Sequence, residues 1–111
     1  MIEFKVDEKN KIIIAKLTGC SCDIVTEMEK RNSANRHGST ISIWCENAYL
    51  NDVYIGKCRF EKDEPFDIEL GKTIAKKRCL EKYYIAKDKM YARILDELQE
   101  TRKEIFHRYK K

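Results

Sequence analysis

The stretch DIELGKTIAKKRCLEKYYIAKDKMYARILDELQETRKEIFHRY, Asp67 to Tyr109, decides the fold. Pro65, just before it, fixes where a helix can begin. Asp67 is a good N-cap, and Glu69 puts a negative charge in the positive first turn. From Ile68 the chain reads helical to about Lys82. A second helix is expected after a kink or short break near Tyr83-Tyr84, running toward Tyr109. Tyr84, Tyr91, Leu98 and Ile105 recur every seven residues, with Ile94 or Leu95 and Tyr109 filling in between. That is an amphipathic stripe, and Glu104 with Arg108 adds a favourable pair one turn apart. A helix of about 25 residues is roughly 37 Å long. A small domain does not cover that length alone. Part of the stripe is therefore expected to pack on another chain or to project toward a partner.

Toward the N-terminus the period changes from helical to alternating. Ile2, Phe4 and Val6 alternate with Glu3 and Lys5, the pattern of a half-buried strand. Asp7-Glu8-Lys9-Asn10 reads as a turn, and the β-branched run Lys11 to Leu17 as the returning strand. Gly19 stops it. Ser21 or Asp23 caps a short helix to about Asn32, with Ile24, Val25 and Met28 on one face. Thr40 to Cys45 alternates again, and Val53 to Phe60 forms the next strand; the two are expected to pair as a hairpin. The expected fold is α+β. An antiparallel sheet of about four strands, two hairpins with a short helix between, is followed by two C-terminal helices, the last one long. One domain spans residues 1–111, with a sheet-rich part (1–66) and a basic helical part (67–111).

Composition agrees with one small core. The chain has 111 residues, 42% hydrophobic and 38% charged, with one proline and four glycines. Collagen-like, proline-rich and glycine-serine linker classes are excluded. No run approaches the roughly 20 apolar residues of a membrane helix. The alternating start carries no signal-peptide pattern, so the five cysteines are expected to stay reduced in a cytosol. The net charge of +4 is uneven. Residues 1–66 hold 10 Lys/Arg against 11 Asp/Glu, and residues 67–111 hold 13 against 8. An acidic partner, such as nucleic acid, a nucleotide or an acidic protein face, is expected at the second part.

Enzyme signatures are absent: no glycine-rich phosphate loop, no G-x-S-x-G elbow, no H-E-x-x-H pair. The chain is read as non-catalytic. It is also read as needing no cofactor, with one alternative. Cys20-x-Cys22 offers two thiolates for zinc, and Cys45, Cys58 or His37 would complete a tetrahedron. Against this, Cys45, Cys58 and Cys79 sit at positions that read as core, where a free cysteine acts as a small hydrophobe. Trp44, Tyr49, Tyr54, Arg59 and Phe60 lie on the expected second hairpin. Aromatics on a sheet with basic neighbours stack bases, or simply close the core. Lys76-Lys77-Arg78 is a short basic run that meets phosphates or remains a solvated face.

The stretch from Gly56 to Arg78 resembles a segment of small uncharacterised proteins of phages and prophages of Gram-positive bacteria. The shared pattern is Gly56, Cys58, an acidic loop with Asp63, Phe66-Asp67, Gly71, Ile74-Ala75 and Arg78. In that family a proline follows the cysteine by two residues; here Phe60 stands there and Pro65 precedes Phe66. The resemblance implies a counter-defence protein that acts in the host cytosol by stoichiometric binding. The leading form is an anti-CRISPR-type inhibitor of a Cas effector. The alternatives are an oligomeric sponge for a cyclic nucleotide immune signal, of the Thoeris or cyclic-oligonucleotide type, and a small phage nucleic-acid-binding protein. Trp44, Phe60, Phe66, Arg78, Arg93 and Arg102 form the pool for stacking, phosphate and partner contacts. A homo-oligomer and no membrane association are expected.

Overall fold

Gly56 and Gly71 set how the chain packs. In the computed structural model, which describes residues 1–32 and 48–110, a Cβ on Gly56 would lie 2.2 Å from the Ala75 carbonyl oxygen and 2.3 Å from the Cys79 nitrogen. A Cβ on Gly71 would lie 2.3 Å from Cδ1 of Ile13. The C-terminal helix therefore rests with its backbone directly on the sheet, and Ala75 and Cys79, both fully buried, continue the contact.

Among the described residues the sheet has three strands, all antiparallel and in sequence order: β1 (Ile2–Asp7), β2 (Ile12–Leu17) and β3 (Tyr54–Arg59). At the β1–β2 turn the Asp7 carboxylate accepts from the Asn10 backbone N–H (3.2 Å) and from its side-chain amide (2.8 Å). The Asn10 donors hold the Asp7 carboxyl below its ordinary range. Lys11 takes a left-handed φ of 53°, and its ammonium donates to the carbonyls of Lys62 (2.9 Å) and Glu64 (2.8 Å). The hairpin is thereby tied to the acidic loop before the last helix. The expected strand over Thr40–Cys45 lies outside the described residues, so four strands are not shown.

Helix α1 (Asp23–Asn32) follows β2, as the periodicity predicts. Asp23 sits in its first turn, but its carboxylate accepts from the Tyr83 hydroxyl instead of capping α1. The last helix, α2, runs from Ile68 to Lys110, 43 residues. Asp67 caps it as expected: Oδ1 accepts from the Leu70 N–H at 3.1 Å, and the Asp67 carbonyl from Gly71 at 2.9 Å.

The break expected near Tyr83-Tyr84 does not occur; a single helix replaces the two. No proline or glycine follows Gly71, so nothing in the chain interrupts the ladder. The tyrosine pair is divided between two sides. Tyr83 is buried, meets Tyr54 edge to face at 5.6 Å and donates to Asp23. Tyr84 points outward.

The core lies between α2 and the face of the sheet built by Ile13, Ala15, Tyr54, Gly56 and Cys58, with Phe60 at its end and Ile24 and Cys20 beside it. The molecule is long: its extents are 71 × 27 × 17 Å and its radius of gyration is 20.1 Å. A compact chain of this length would have a radius of about 13 Å. At 1.5 Å per residue α2 spans about 64 Å, so it alone accounts for the long axis.

Candidate interaction surface

Helix α2 has two parts with different surroundings. Its first part is clamped by the sheet and by α1. Tyr83 donates to Asp23, the Lys87 ammonium meets Glu27 Oε1, and the Tyr91 hydroxyl donates to Glu27 Oε2 at 2.7 Å. Lys87 also lies 5.1 Å from the Tyr83 ring and 5.8 Å from the Tyr84 ring, a cation–π stack. Burial, and then the bond to Asp23, push the Tyr83 hydroxyl well above its ordinary value. The clamp ends at Ile94, 8% exposed, the last buried residue of α2 among the described residues.

Beyond Ile94 the helix projects. Leu95, Leu98, Ile105 and Tyr109 are 55%, 40%, 62% and 85% exposed. At 100° per residue these four fall within about 80° of arc, one stripe. Arg102 falls within that stripe, whereas Arg108 lies about 60° outside it, on the side of Glu104. Leu98, Thr101, Arg102, Ile105, Phe106 and Tyr109 line a shallow, mostly apolar groove along it. The acidic residues of this part, Asp96, Glu97, Glu100 and Glu104, fall on the far side of the helix. The exposed stripe beyond Ile94 is therefore apolar, with Arg102 as its charged residue. Nearer the sheet, a separate apolar patch is lined by Thr73, Lys76, Lys77, Leu80, Glu81, Tyr84 and Ile85.

The residues nominated from the sequence separate into three groups. Phe60 is buried and meets half-buried Phe66 edge to face at 5.5 Å, so this pair closes the end of the core. Arg78 donates to the Lys57 carbonyl at 2.7 Å, and Lys82 donates to that of Ile55 at 2.9 Å; both seal the outer edge of β3. Arg93 and Arg102 lie on the outer part of α2. Arg93 pairs with Glu97 at 3.5 Å, whereas Arg102 has no hydrogen bond or ion pair among the described residues. Trp44 lies outside the described residues.

Of the cysteines offered to zinc, Cys20 and Cys58 are buried and Cys22 is exposed; Cys45 and His37 lie outside the described residues. Among the described residues, no three His, Cys, Asp or Glu side chains group to hold a metal. Burial raises the Cys20 thiol above its ordinary value, which opposes the thiolate that zinc needs. No helix among the described residues is long and apolar enough to cross a membrane.

Charge alone selects the arginines and overlooks the aliphatic residues around Arg102. The signal for them is the seven-residue recurrence, since residues not absorbed by the fold at that spacing form a seam. No local signal marks the edge-sealing role of Arg78 and Lys82, whose acceptors lie 21 and 27 residues away. No protein-family model, no curated protein and no solved structure matches the chain.

Proposed function

We propose that this chain is a non-catalytic binding protein that uses the projecting part of α2 as an arm for an acidic protein surface. One observation carries the reading: past Ile94 the helix exposes an apolar stripe that includes Arg102, with its carboxylates turned away. An amphipathic helix of this kind fits an apolar groove, anchored by residues one turn apart. Arg102 selects a groove bordered by Asp or Glu. Leu95, Leu98 and Ile105 favour a protein over a nucleic-acid backbone, because phosphate contact gains little from buried aliphatic surface.

Joined to the resemblance of Gly56–Arg78 to phage and prophage proteins, the arm supports an anti-CRISPR-type inhibitor that blocks a host Cas effector by stoichiometric binding in the host cytosol. The test mixes the full chain with a panel of purified Cas effectors, reading complex formation by gel filtration and target cleavage together. The expected result is one effector bound at equal stoichiometry and silenced, with binding at least about tenfold weaker for Leu98→Glu/Ile105→Glu. No bound effector overturns the reading. Affinity for unrelated DNA sequences that falls steeply with salt would replace it with a nucleic-acid binder. A melting temperature raised by one cyclic nucleotide would replace it with a sponge.

A further inference from the structure

The two outer edges of the sheet are not alike. The Phe60 N–H donates to the Lys11 carbonyl at 2.9 Å, which fixes the hydrogen-bond phase between β2 and β3. Tyr54, Gly56 and Cys58 bond to β2, so Ile55, Lys57 and Arg59 turn their backbone groups outward. The Ile55 and Lys57 carbonyls are taken by Lys82 and Arg78. At the other edge, Thr18 donates to the Met1 carbonyl at 3.3 Å, so Glu3, Lys5 and Asp7 bond to β2. Ile2, Phe4 and Val6 then turn their N–H and C=O groups outward, and no bond to these groups is present among the described residues.

The side chains of β1 are also partly uncovered. Ile2, Phe4 and Val6 share the face of Ile13, Ala15 and Gly56, on which α2 packs. Yet Phe4 remains 39% and Val6 36% exposed, because α2 lies over β2 and β3. Lys72 reaches over the Phe4 ring at 5.7 Å from its centroid. An edge with free backbone groups and apolar side chains is a template for another strand.

The sequence of β1 specifies which strand. Ile2-Glu3-Phe4-Lys5-Val6 reads apolar, acid, aromatic, base, apolar: it is its own complement about Phe4. We infer that β1 pairs antiparallel with β1 of a second copy of this chain, on a two-fold axis through Phe4. In that register Phe4 faces Phe4 and Ile2 faces Val6, and these are the residues whose backbone groups turn outward. On the opposite face Glu3 meets Lys5 on both sides of the axis. Shifting two residues either way sets Glu3 against Glu3, or Lys5 against Lys5 with Glu3 against Asp7, and like charges directly opposite are destabilising. The contact is isologous and closes after two copies. The two sheets become one continuous sheet, and β3, sealed by Arg78 and Lys82, stays at its outer ends.

Sedimentation equilibrium of the full chain and three variants tests this, with circular dichroism confirming that each variant is folded. The wild-type chain is expected at twice its mass of 13.2 kDa. Lys5→Glu, which sets a new carboxylate against Glu3 on both sides of the axis without altering a β1–β2 bond, is expected at the single-chain mass. The swap Glu3→Lys/Lys5→Glu restores the opposite pairs and is expected to restore the doubled mass. A wild-type chain of single mass at 100 μM overturns the inference. So does a Lys5→Glu chain that keeps the doubled mass while Leu98→Glu loses it, since the dimer would then lie on α2.

Discussion

The two parts of α2 are one helix with one hydrogen-bond ladder, yet they serve different ends. From Ile68 to Ile94 the buried positions are small or shaped to fit: Gly71, Ala75, Cys79, Tyr83 and Ile94. From Leu95 on, large aliphatic and aromatic side chains stand in solvent. A helix needs tertiary packing more than propensity for its stability. The first part has that packing, and the second borrows rigidity from the first. Substitutions in the first part should therefore change folding, and those in the second should change association.

The largest effect is expected at the helix–sheet contact. Gly56→Ala forces a methyl into the Ala75 and Cys79 backbone, which cannot swing aside as a side chain can. A loss of about 3 kcal/mol is expected, at the upper end of ordinary overpacking, read by urea denaturation. Gly71→Ala sharpens the point. There the methyl meets the Ile13 and Phe60 side-chain ends, and alanine favours the helix, so a loss of about 1 kcal/mol is expected.

A middle-sized effect is expected at the clamp. Tyr83→Phe removes the donor to Asp23 and should cost about 1.5 kcal/mol, the range of hydrogen bonds to charged groups. It should also alter the response to base. The Tyr83 hydroxyl is raised in the folded chain above the ordinary tyrosine value of 10.0. Below that value the tyrosine is neutral in both states and its contribution is fully present. Above it the unfolded chain ionises first, and stability falls as pH rises toward the folded value. Melts from pH 9 to 11 should show that fall weakened in Tyr83→Phe. An unchanged slope would assign it to Cys20, whose thiol is also raised from its ordinary 9.0.

The smallest effect on stability is expected in the arm. Leu98→Glu/Ile105→Glu should change the unfolding free energy by no more than about 0.5 kcal/mol per site, as for surface substitutions. The same change is the one expected to weaken partner binding at least about tenfold. If it unfolds the chain instead, the two parts of α2 do not differ as described.

Much of this fold is readable from local pattern. The alternation of Ile2, Phe4 and Val6, the β-branched run expected over Lys11–Leu17 and found over Ile12–Leu17, the short helix to Asn32, the strand expected over Val53–Phe60 and found over Tyr54–Arg59, and the Asp67 cap all follow from their residues. What local pattern misses depends on distant partners. A break is expected near Tyr83-Tyr84, but the helix runs through unbroken, and Asp23, 60 residues earlier, takes the Tyr83 hydroxyl. Phe60, Phe66 and Arg78 have the chemistry of ligand contacts; local pattern does not show that Phe60 meets Phe66 edge to face or that exposed Arg78 donates to the Lys57 carbonyl. The stripe of the arm is legible as a period of seven, while its role as a surface requires knowing where the clamp ends.

The continuity of α2 makes the arm a pointer whose aim is set by counting residues. Each residue between Ile94 and the tip advances the stripe by 100° and 1.5 Å. Inserting one alanine after Ile94 would leave every side chain of the arm intact but aim Leu98 and Arg102 a quarter-turn and more aside. Inserting seven would return the stripe nearly to its original bearing, about 10 Å farther out. A partner that reads direction would reject the first chain and tolerate the second, much as a key depends on the angle of its blade as well as its teeth.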